Sequence, residues 1–441
     1  MRKDSLQHLK RMHINKQLLS IALIIWFCLA VHYLIRVPGF DRTHDINGHI
    51  SYSETIARQH KLPNDLNESF EVYQPPLYYL IINAVFPPTV GIDTNYHVNC
   101  VRAMSILFGA IVICIIGWIL NEVTNDKVIR LLVLLFIATT PKFVFVFTTY
   151  NNDTLETLFC IGLIGIGYKL INNWSGGLGI LLLLVTVGAF YTKYTATFCV
   201  LPLFLICCKN LLWDKSNNQN QKRIIITLII SFIFFVPWLY FHNYLHSKQL
   251  APTNLGGGMY EHYTIGNAKK TLSSILKIPI FQSTPKEWVV PWSYPGQETA
   301  HESTKRIDYF SFSFVTSIIG EWILKTPDVI FIWTIFYIHL VAYILGLRQM
   351  FKSKITKYAA SMVILTHLVH IAFVTRLKLP VWGCIMDYRY ICSSWIAWAI
   401  LYASALSEGN ILSKILKVAL ISGIVIQICI VMTVTGGHSE L

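Results

Sequence analysis

One polar stretch of the sequence, residues 44–79, carries the side chains best suited to chemistry. It opens with Asp45 and His49 and closes with Glu71, Tyr73 and Gln74, directly before two prolines. A spacing of four residues places Asp45 and His49 on neighbouring turns of one helix face. An ionised carboxylate beside an imidazole can act as a general base, orient a nucleophile or bind a metal. The same pair is also common as a plain surface hydrogen bond.

The residues around Asp45 predict a short helix that positions it. Thr43 can cap a helix from His44 to about Gln59, which ends before Leu62 and Pro63. Asp45 would then lie in the first turn, where the helix dipole favours a negative charge. Glu71, Tyr73 and Gln74 directly precede a helix that starts with Pro75 and Pro76. We expect this helix to bring them back to the interface where Asp45 lies.

The composition indicates the environment of this stretch. Hydrophobic residues make up 54% of the 441-residue chain, charged residues only 13%, and the mean hydropathy is +0.52. Such a chain is too apolar for a soluble domain of this length. The net charge of +13 comes from basic residues that lie mostly in short loops between apolar runs, where they set membrane topology. We therefore predict a membrane protein that does not bind nucleic acid.

The apolar runs predict an all-α polytopic membrane protein with about eleven transmembrane helices. The apolar part of residues 75–88 is about half of the ~20 residues that a span needs, and proline pairs bracket it. We expect it to form a surface or re-entrant helix that does not cross. The predicted spans are 18–37, 100–120, 128–147, 153–171, 177–192, 195–208, 223–243, 327–347, 357–375, 389–406 and 414–433.

The distribution of basic residues predicts the orientation of these spans. If residues 75–88 do not cross, the basic loops all fall on the cytoplasmic side, as the positive-inside rule requires. The N-terminus is then cytoplasmic and the C-terminus extracytoplasmic. Residues 38–98 and 244–326 become the two large outward loops. The first should carry amphipathic juxtamembrane helices, and a bacterial inner (plasma) membrane is the expected location.

Charged residues at the outward ends of later spans are further site candidates. Lys193 lies within an almost continuous apolar run, where a charge is costly and usually functional, although it could instead snorkel to the surface. Asp153 is either a first-turn acid or a second carboxylate near Asp45. The other candidates are Arg376, Lys378, Asp387 and Arg389, of which the last two could form a structural ion pair. No Asp-x-Asp pattern is present, so we predict neither a required metal nor a cofactor.

The order of these motifs resembles the GT-C superfamily of integral membrane glycosyltransferases. The matching motifs are Gln74-Pro-Pro-Leu-Tyr-Tyr79, Arg102 opening a span, Pro141 with Asn152-Asp153, Thr192-Lys193-Tyr194, and Asp387-Tyr-Arg389-Tyr390. The sequence is most similar to the branch that contains protein O-mannosyltransferases and the bacterial aminoarabinose transferases that modify lipid A, a glycosyltransferase family 39-like group. The similarity covers residues 18–210 well and the remainder in outline.

The resemblance implies transfer of a sugar from a polyprenyl-phosphate donor to a lipid, glycan or protein acceptor on the extracytoplasmic side. Asp45 matches the catalytic residue of the family, with His49 beside it, and Arg102 and the other candidates would bind substrate. Two positions depart from the family pattern. Ile46 stands where a second acid is common, and Gln74 stands where a basic residue is common. A transporter or flippase, and a polymerase or ligase of lipid-linked glycans, remain alternatives.

Overall fold

The computed structural model describes residues 16–40, 45–63, 68–69, 71–88, 94–213, 218–248, 250, 313, 316–318, 326–376 and 388–434. Within these ranges the regular secondary structure is helical, which confirms the predicted all-α class. The longer helices are α1 (Lys16–Arg36), α2 (Ile46–Gln59), α3 (Leu77–Val85), α4 (Thr94–Val123), α5 (Lys127–Ala138), α6 (Pro141–Val146), α7 (Asp153–Asn172), α8 (Gly176–Thr192), α9 (Thr197–Trp213), α10 (Asn218–Pro237), α11 (Thr326–Arg348), α12 (Lys354–Arg376), α13 (Trp395–Leu406) and α14 (Ile411–Thr433).

Eight helical segments of the described chain are long and apolar enough to cross a membrane. Three of the eleven predicted spans do not form single long helices, so the predicted count is not shown. Residues 128–147 are divided between α5 and α6, because Pro141 cannot donate a backbone hydrogen bond to an uninterrupted helix. α8 has 17 residues, and α13 has 12 residues preceded by the 3₁₀ turn Tyr388–Ser394.

The two helices before α4 differ in length from the spans. α2 begins at Ile46, not at His44 as predicted, and Asp45 is its N-cap instead of a first-turn residue. Its proposed capping residue Thr43 lies outside the described residues. α3 has nine residues, about 14 Å at 1.5 Å per residue. This is less than half of the ~30 Å that a span must cover, as predicted for residues 75–88.

Small and aromatic residues bring the first spans together. A side chain at Gly109 of α4 would place its Cβ 2.5 Å from the Trp26 ring of α1 and 2.9 Å from Phe147. Trp26 itself packs edge-on against Phe143, with ring centroids 5.1 Å apart. The absence of a side chain at Gly109 therefore allows the middle of α4 to pack closely against α1.

Contacts between helices define two ends of the bundle. At one end Lys417 of α14 lies 3.7 Å from Asp126, and Lys352 lies 2.7 Å from Glu408. At the other end, Lys193 after α8 pairs with Asp153 at the start of α7. We call the latter the Asp45 end, because Asp45 lies there beside α2 and α3. Most of the first predicted outward loop is described there, whereas most of residues 244–326 lies outside the described residues.

Candidate active site at the Asp45 end of the bundle

Asp45 has an unusual backbone conformation. Its φ of 55° and ψ of 23° lie in the left-handed helical region, which Asp tolerates better than most L-residues. Its side chain makes no capping hydrogen bond to α2 and is exposed. The backbone N–H of His49 donates to the Asp45 carbonyl at 3.0 Å, so α2 starts directly after this turn. The Asp45 carboxylate therefore lies at the start of α2 and does not cap the helix.

His49 lies within the protein, against an aromatic cluster beneath α2. Its Nδ1 is 2.7 Å from Tyr79 Oη of α3, and Tyr79 packs on Tyr52 with ring centroids 4.1 Å apart. Burial, with smaller effects from Lys193 and Arg389, lowers the pKa of His49 well below its ordinary value. His49 is thus a neutral, buried hydrogen-bonding residue. Asp45 and His49, the predicted pair, lie one helical turn apart, but the Asp45 side chain is exposed and the His49 side chain is buried.

A tight turn, Glu71–Gln74, follows and leads into α3. The Gln74 N–H donates to the Glu71 carbonyl at 2.9 Å, and Pro75 and Pro76 come directly after it. Gln74 Nε2 donates to Tyr73 Oη at 2.8 Å. Tyr52 Oη donates to the Gln74 carbonyl at 3.4 Å, which connects the turn to α2. The turn is therefore held against α2.

Several predicted site residues influence the pKa of Glu71. Burial raises the pKa of Glu71 well above its ordinary value, and Asp45 and Asp153 raise it further, while Lys193 and Arg389 lower it. The pKa of Tyr73 is also raised, by burial, by Glu71 and Asp45, and by Tyr390. Residues from four separate parts of the chain thus influence one carboxyl group.

Lys193 is held by a buried ion pair. Its Nζ contacts Asp153 Oδ1, and both side chains are more than nine-tenths buried. The Nζ also lies over the ring of Tyr390, 5.4 Å from its centroid. Lys193 therefore does not snorkel to the surface. Asp153 is the first residue of α7, after the N-cap Asn152.

Arg389 completes the basic side of the site. It is 7% exposed, its Nη2 donates to Tyr390 Oη at 3.0 Å, and its guanidinium lies 4.9 Å from the centroid of the same ring. Tyr390 therefore lies against both cations. The proposed ion pair of Arg389 with Asp387 cannot be described, because Asp387 lies outside the described residues.

Three further candidates are placed differently. The buried Arg102 donates to the carbonyl oxygens of Thr148 at 2.8 Å and Val37 at 2.9 Å, and to Asn99 Oδ1 at 3.0 Å. These hydrogen bonds tie α4 to the end of α1 and to the turn before α7. Arg376 ends α12, and Lys378 lies outside the described residues.

Sequence reasoning missed Glu156, one turn after Asp153. It is 4% exposed and accepts a hydrogen bond from Thr195 Oγ1 at 2.6 Å. Asp153 and Glu156 share a helix face, and an acid three residues into an apolar span is a signal that could have identified it. Tyr390 belonged to a recognised motif, but its contact with Lys193 depends on how α8 and α13 pack together.

The site can carry out acid–base and electrostatic chemistry. An exposed carboxylate, a buried carboxyl group with a raised pKa and two buried cations lie around one turn. Fixed cations in a partly buried site stabilise a developing negative charge, and a carboxylate can accept a proton. Across the described ranges, no group of three or more His, Cys, Asp or Glu side chains could hold a metal ion.

Part of the chain is similar to a described protein family. Residues 74–241 match the family described as dolichyl-phosphate-mannose-protein mannosyltransferase. Crystal structures of ArnT from Cupriavidus metallidurans, bound to undecaprenyl phosphate and in the apo state, align at 12% identity with TM-scores of 0.42 and 0.38. Each alignment covers 89% of this chain and 78% of that chain. No curated protein matches. The similarity to this family covers residues 74–241, which is less than half of the chain.

Proposed function

We propose that the protein transfers one sugar from a polyprenyl-phosphate donor to a hydroxyl group of a lipid, glycan or protein acceptor on the extracytoplasmic side of the membrane. The observation that carries this proposal is that two buried cations, Lys193 and Arg389, lie against the ring of Tyr390 at the end of the bundle where the Asp45 side chain is exposed. It supplies a proton acceptor and two cations at one end of a membrane-spanning bundle. These are the groups that a transfer from a lipid phosphate needs.

Asp45 acts as the general base. Its exposed carboxylate accepts the proton of the acceptor hydroxyl as the hydroxyl oxygen bonds to the anomeric carbon of the sugar. The bond between that carbon and the phosphate oxygen breaks, and the polyprenyl phosphate leaves with the electron pair. His49, buried against Tyr79, positions the start of α2 and does not take this proton.

Lys193 and Arg389 stabilise the charge that develops on the leaving phosphate. Preorganised cations in a site shielded from water are worth far more than the same cations in solution. Asp153 keeps the Lys193 ammonium in place, and Tyr390 lies against both cations. Glu71, Tyr73 and Gln74 contact the donor sugar.

The proposed side of the membrane rests on charge distribution. The connections and helix ends opposite Asp45 carry several basic residues. They include Lys127, Lys169, Lys352, Lys354 and Lys417. Basic connections favour the cytoplasm, which leaves the Asp45 end outside. The donor would therefore react with the acceptor at the Asp45 end, after the lipid carrier has moved the sugar across the membrane.

A transfer assay tests this function. Membranes with and without the protein receive radiolabelled mannosyl, glucosyl, galactosyl or aminoarabinosyl polyprenyl phosphate, and the labelled product is separated into lipid, glycan and protein fractions. We expect protein-dependent transfer from one of these donors, accessible from the extracytoplasmic face of oriented vesicles. Donor that remains intact in every assay, or transfer only from the cytoplasmic face, would contradict the proposal.

A further inference from the structure

Lys193, the proposed phosphate-binding lysine, lies in the connection between α8 and α9. α8 ends at Thr192, Lys193 has an extended backbone with φ −161° and ψ 144°, and the 3₁₀ turn Tyr194–Ala196 leads into α9. We call residues 193–196 the α8–α9 break. Because Lys193 is outside both helices, the contacts of the break determine where its ammonium group lies.

Three consecutive side chains of the break are each held by another element. Lys193 pairs with the first residue of α7, and Thr195 Oγ1 donates to Glu156 of the same helix at 2.6 Å. Tyr194, between them in the sequence, is held by a different element. This is the π-helical turn Trp238–Tyr244, which continues α10. We call it the π turn.

The π turn makes two hydrogen bonds to the Tyr194 hydroxyl group. Asn243 Nδ2 donates to Tyr194 Oη at 2.6 Å, and Trp238 Nε1 donates to the same oxygen at 3.2 Å. In an α-helix, residues five apart point about 140° away from each other. A π-helix closes its hydrogen bonds over five residues, and such turns are frequent at functional sites. The π turn can therefore present Trp238 and Asn243 to one acceptor.

The π turn also contacts the segment that follows α2. His242 Nε2 donates to the carbonyl of Pro63 at 2.9 Å. The Asn243 amide, which is fully buried, donates to the carbonyl of Leu250 at 2.8 Å as well as to Tyr194. Since an amide nitrogen carries two hydrogens, both donors of Asn243 are used. One turn thus connects the α8–α9 break with the chain that leaves α2.

We propose that Asn243 is a positioning residue for Lys193. Asp153 restrains the ammonium end of the Lys193 side chain, and Asn243, through Tyr194, restrains the backbone from which that side chain starts. A cation that is held in place before the donor binds stabilises a phosphate more than one that must be ordered on binding. This inference rests on the proposed function, because it assumes that Lys193 binds the phosphate of the donor.

Binding of undecaprenyl phosphate to the full-length protein tests the inference. Asn243→Leu keeps the approximate size of the side chain and removes both donors, so it should weaken binding by about 3- to 10-fold. Asn220→Leu is the matched control. Asn220 lies near the opposite end of α10, where it donates to the carbonyl of Ile171 at 3.5 Å. This control should bind undecaprenyl phosphate as tightly as the wild type.

A variant cycle separates positioning of Lys193 from general packing. Asn243→Leu is repeated in a protein that carries Lys193→Met and Asp153→Asn, where no ammonium group remains to be positioned. This background should itself bind undecaprenyl phosphate about 10-fold more weakly than the wild type. Adding Asn243→Leu should then weaken binding by less than about 2-fold, because the two changes remove the same interaction.

Tyr194→Phe keeps the aromatic ring, removes the bonded hydroxyl group and should weaken binding as Asn243→Leu does. It takes the place of Asn243→Leu in the cycle if that variant does not fold. Wild-type affinity in the variant, or an equal loss with and without Lys193, would overturn the inference. So would a Lys193→Met background that binds as tightly as the wild type. A wild-type protein that does not bind undecaprenyl phosphate would instead contradict the proposed function.

Discussion

The Lys193–Asp153 pair shows how single residues define the site. A lysine inside an apolar run is costly unless it is paired or functional. Here it is both buried and paired, and it also faces Tyr390 and influences Glu71 and His49. The ion pair could serve only to join α7 and α8, or it could also keep the Lys193 ammonium in position to bind the phosphate of the donor.

A double-variant cycle separates these two roles. Lys193→Met leaves Asp153 buried without its partner and should destabilise the protein by about 3–5 kcal/mol. Adding Asp153→Asn removes the unpaired charge and should restore most of the stability, measured by thermal unfolding in detergent. Transfer should stay low in the double variant, because the phosphate still lacks its cation. Recovery of transfer together with stability would indicate a purely structural pair.

Glu71 should make stability depend on pH. Its folded pKa is raised above the ordinary value of 4.5, so the folded state keeps a proton that the unfolded state releases. Stability should therefore fall as pH rises from about 4.5 toward the folded pKa. Glu71→Gln removes this loss, so its unfolding temperature should decline less than that of the wild type between pH 5 and 8. Parallel declines in the two proteins would show that Glu71 is already ionised.

At the scale of elements, the site depends on how tightly the spans pack. Gly346 of α11 lies against α13, which follows the turn that carries Arg389 and Tyr390. A Cβ at Gly346 would lie 2.6 Å from the carbonyl oxygen of Leu401, a backbone atom that cannot rotate away. Gly176, at the start of α8, has no atom within 4 Å of such a Cβ.

Alanine at these two glycines should therefore have different effects. Gly346→Ala should destabilise the protein by about 1–3 kcal/mol, as overpacking of a core usually does. It should also weaken transfer by displacing α13. Gly176→Ala, the matched control, should unfold within about 0.5 kcal/mol of the wild type. Equal unfolding midpoints for the two variants would show that α11 and α13 are not packed as described.

Individual residues show what the sequence could and could not predict about the site. Asp45, Glu71, Asp153 and Lys193 stood out because charged groups are rare in so apolar a chain, and the structure pairs Asp153 with Lys193. Arg102 was a candidate through the family motif, and its hydrogen bonds to backbone carbonyls depend on tertiary packing. The left-handed conformation of Asp45 and the burial of His49 against Tyr79 likewise depend on contacts that no periodicity records.

Spans were predictable where apolar runs were long and uninterrupted, such as α1, α4 and α14. The prediction was less accurate where helices are short or broken. Pro141 divides one predicted span, and a 3₁₀ turn shortens another before α13. Hydropathy measures how apolar a segment is, and it does not show where the backbone stops being a single helix.

At the scale of the whole molecule, the orientation in the membrane remains a prediction. Residues 75–88 are predicted to stay on one side of the membrane, and the chain is predicted to cross it about eleven times. The N-terminus and the C-terminus should therefore lie on opposite faces of the membrane. A phosphatase that folds only outside the cytoplasm, fused after Leu441, should be active, and the same enzyme fused after Val123 should be inactive. The reverse pattern would place the Asp45 end in the cytoplasm.

The central claim is that Asp45 is the base of a glycosyl transfer, and the turnover rate of Asp45→Asn tests it most directly. Asn keeps the size of the side chain but cannot accept the proton, so kcat should fall by about 10²- to 10⁴-fold with little change in donor binding. Glu54→Gln, an exposed acid on the same helix α2, is the control and should keep wild-type turnover. An Asp45→Asn protein that transfers sugar within a few-fold of the wild-type rate would contradict the account.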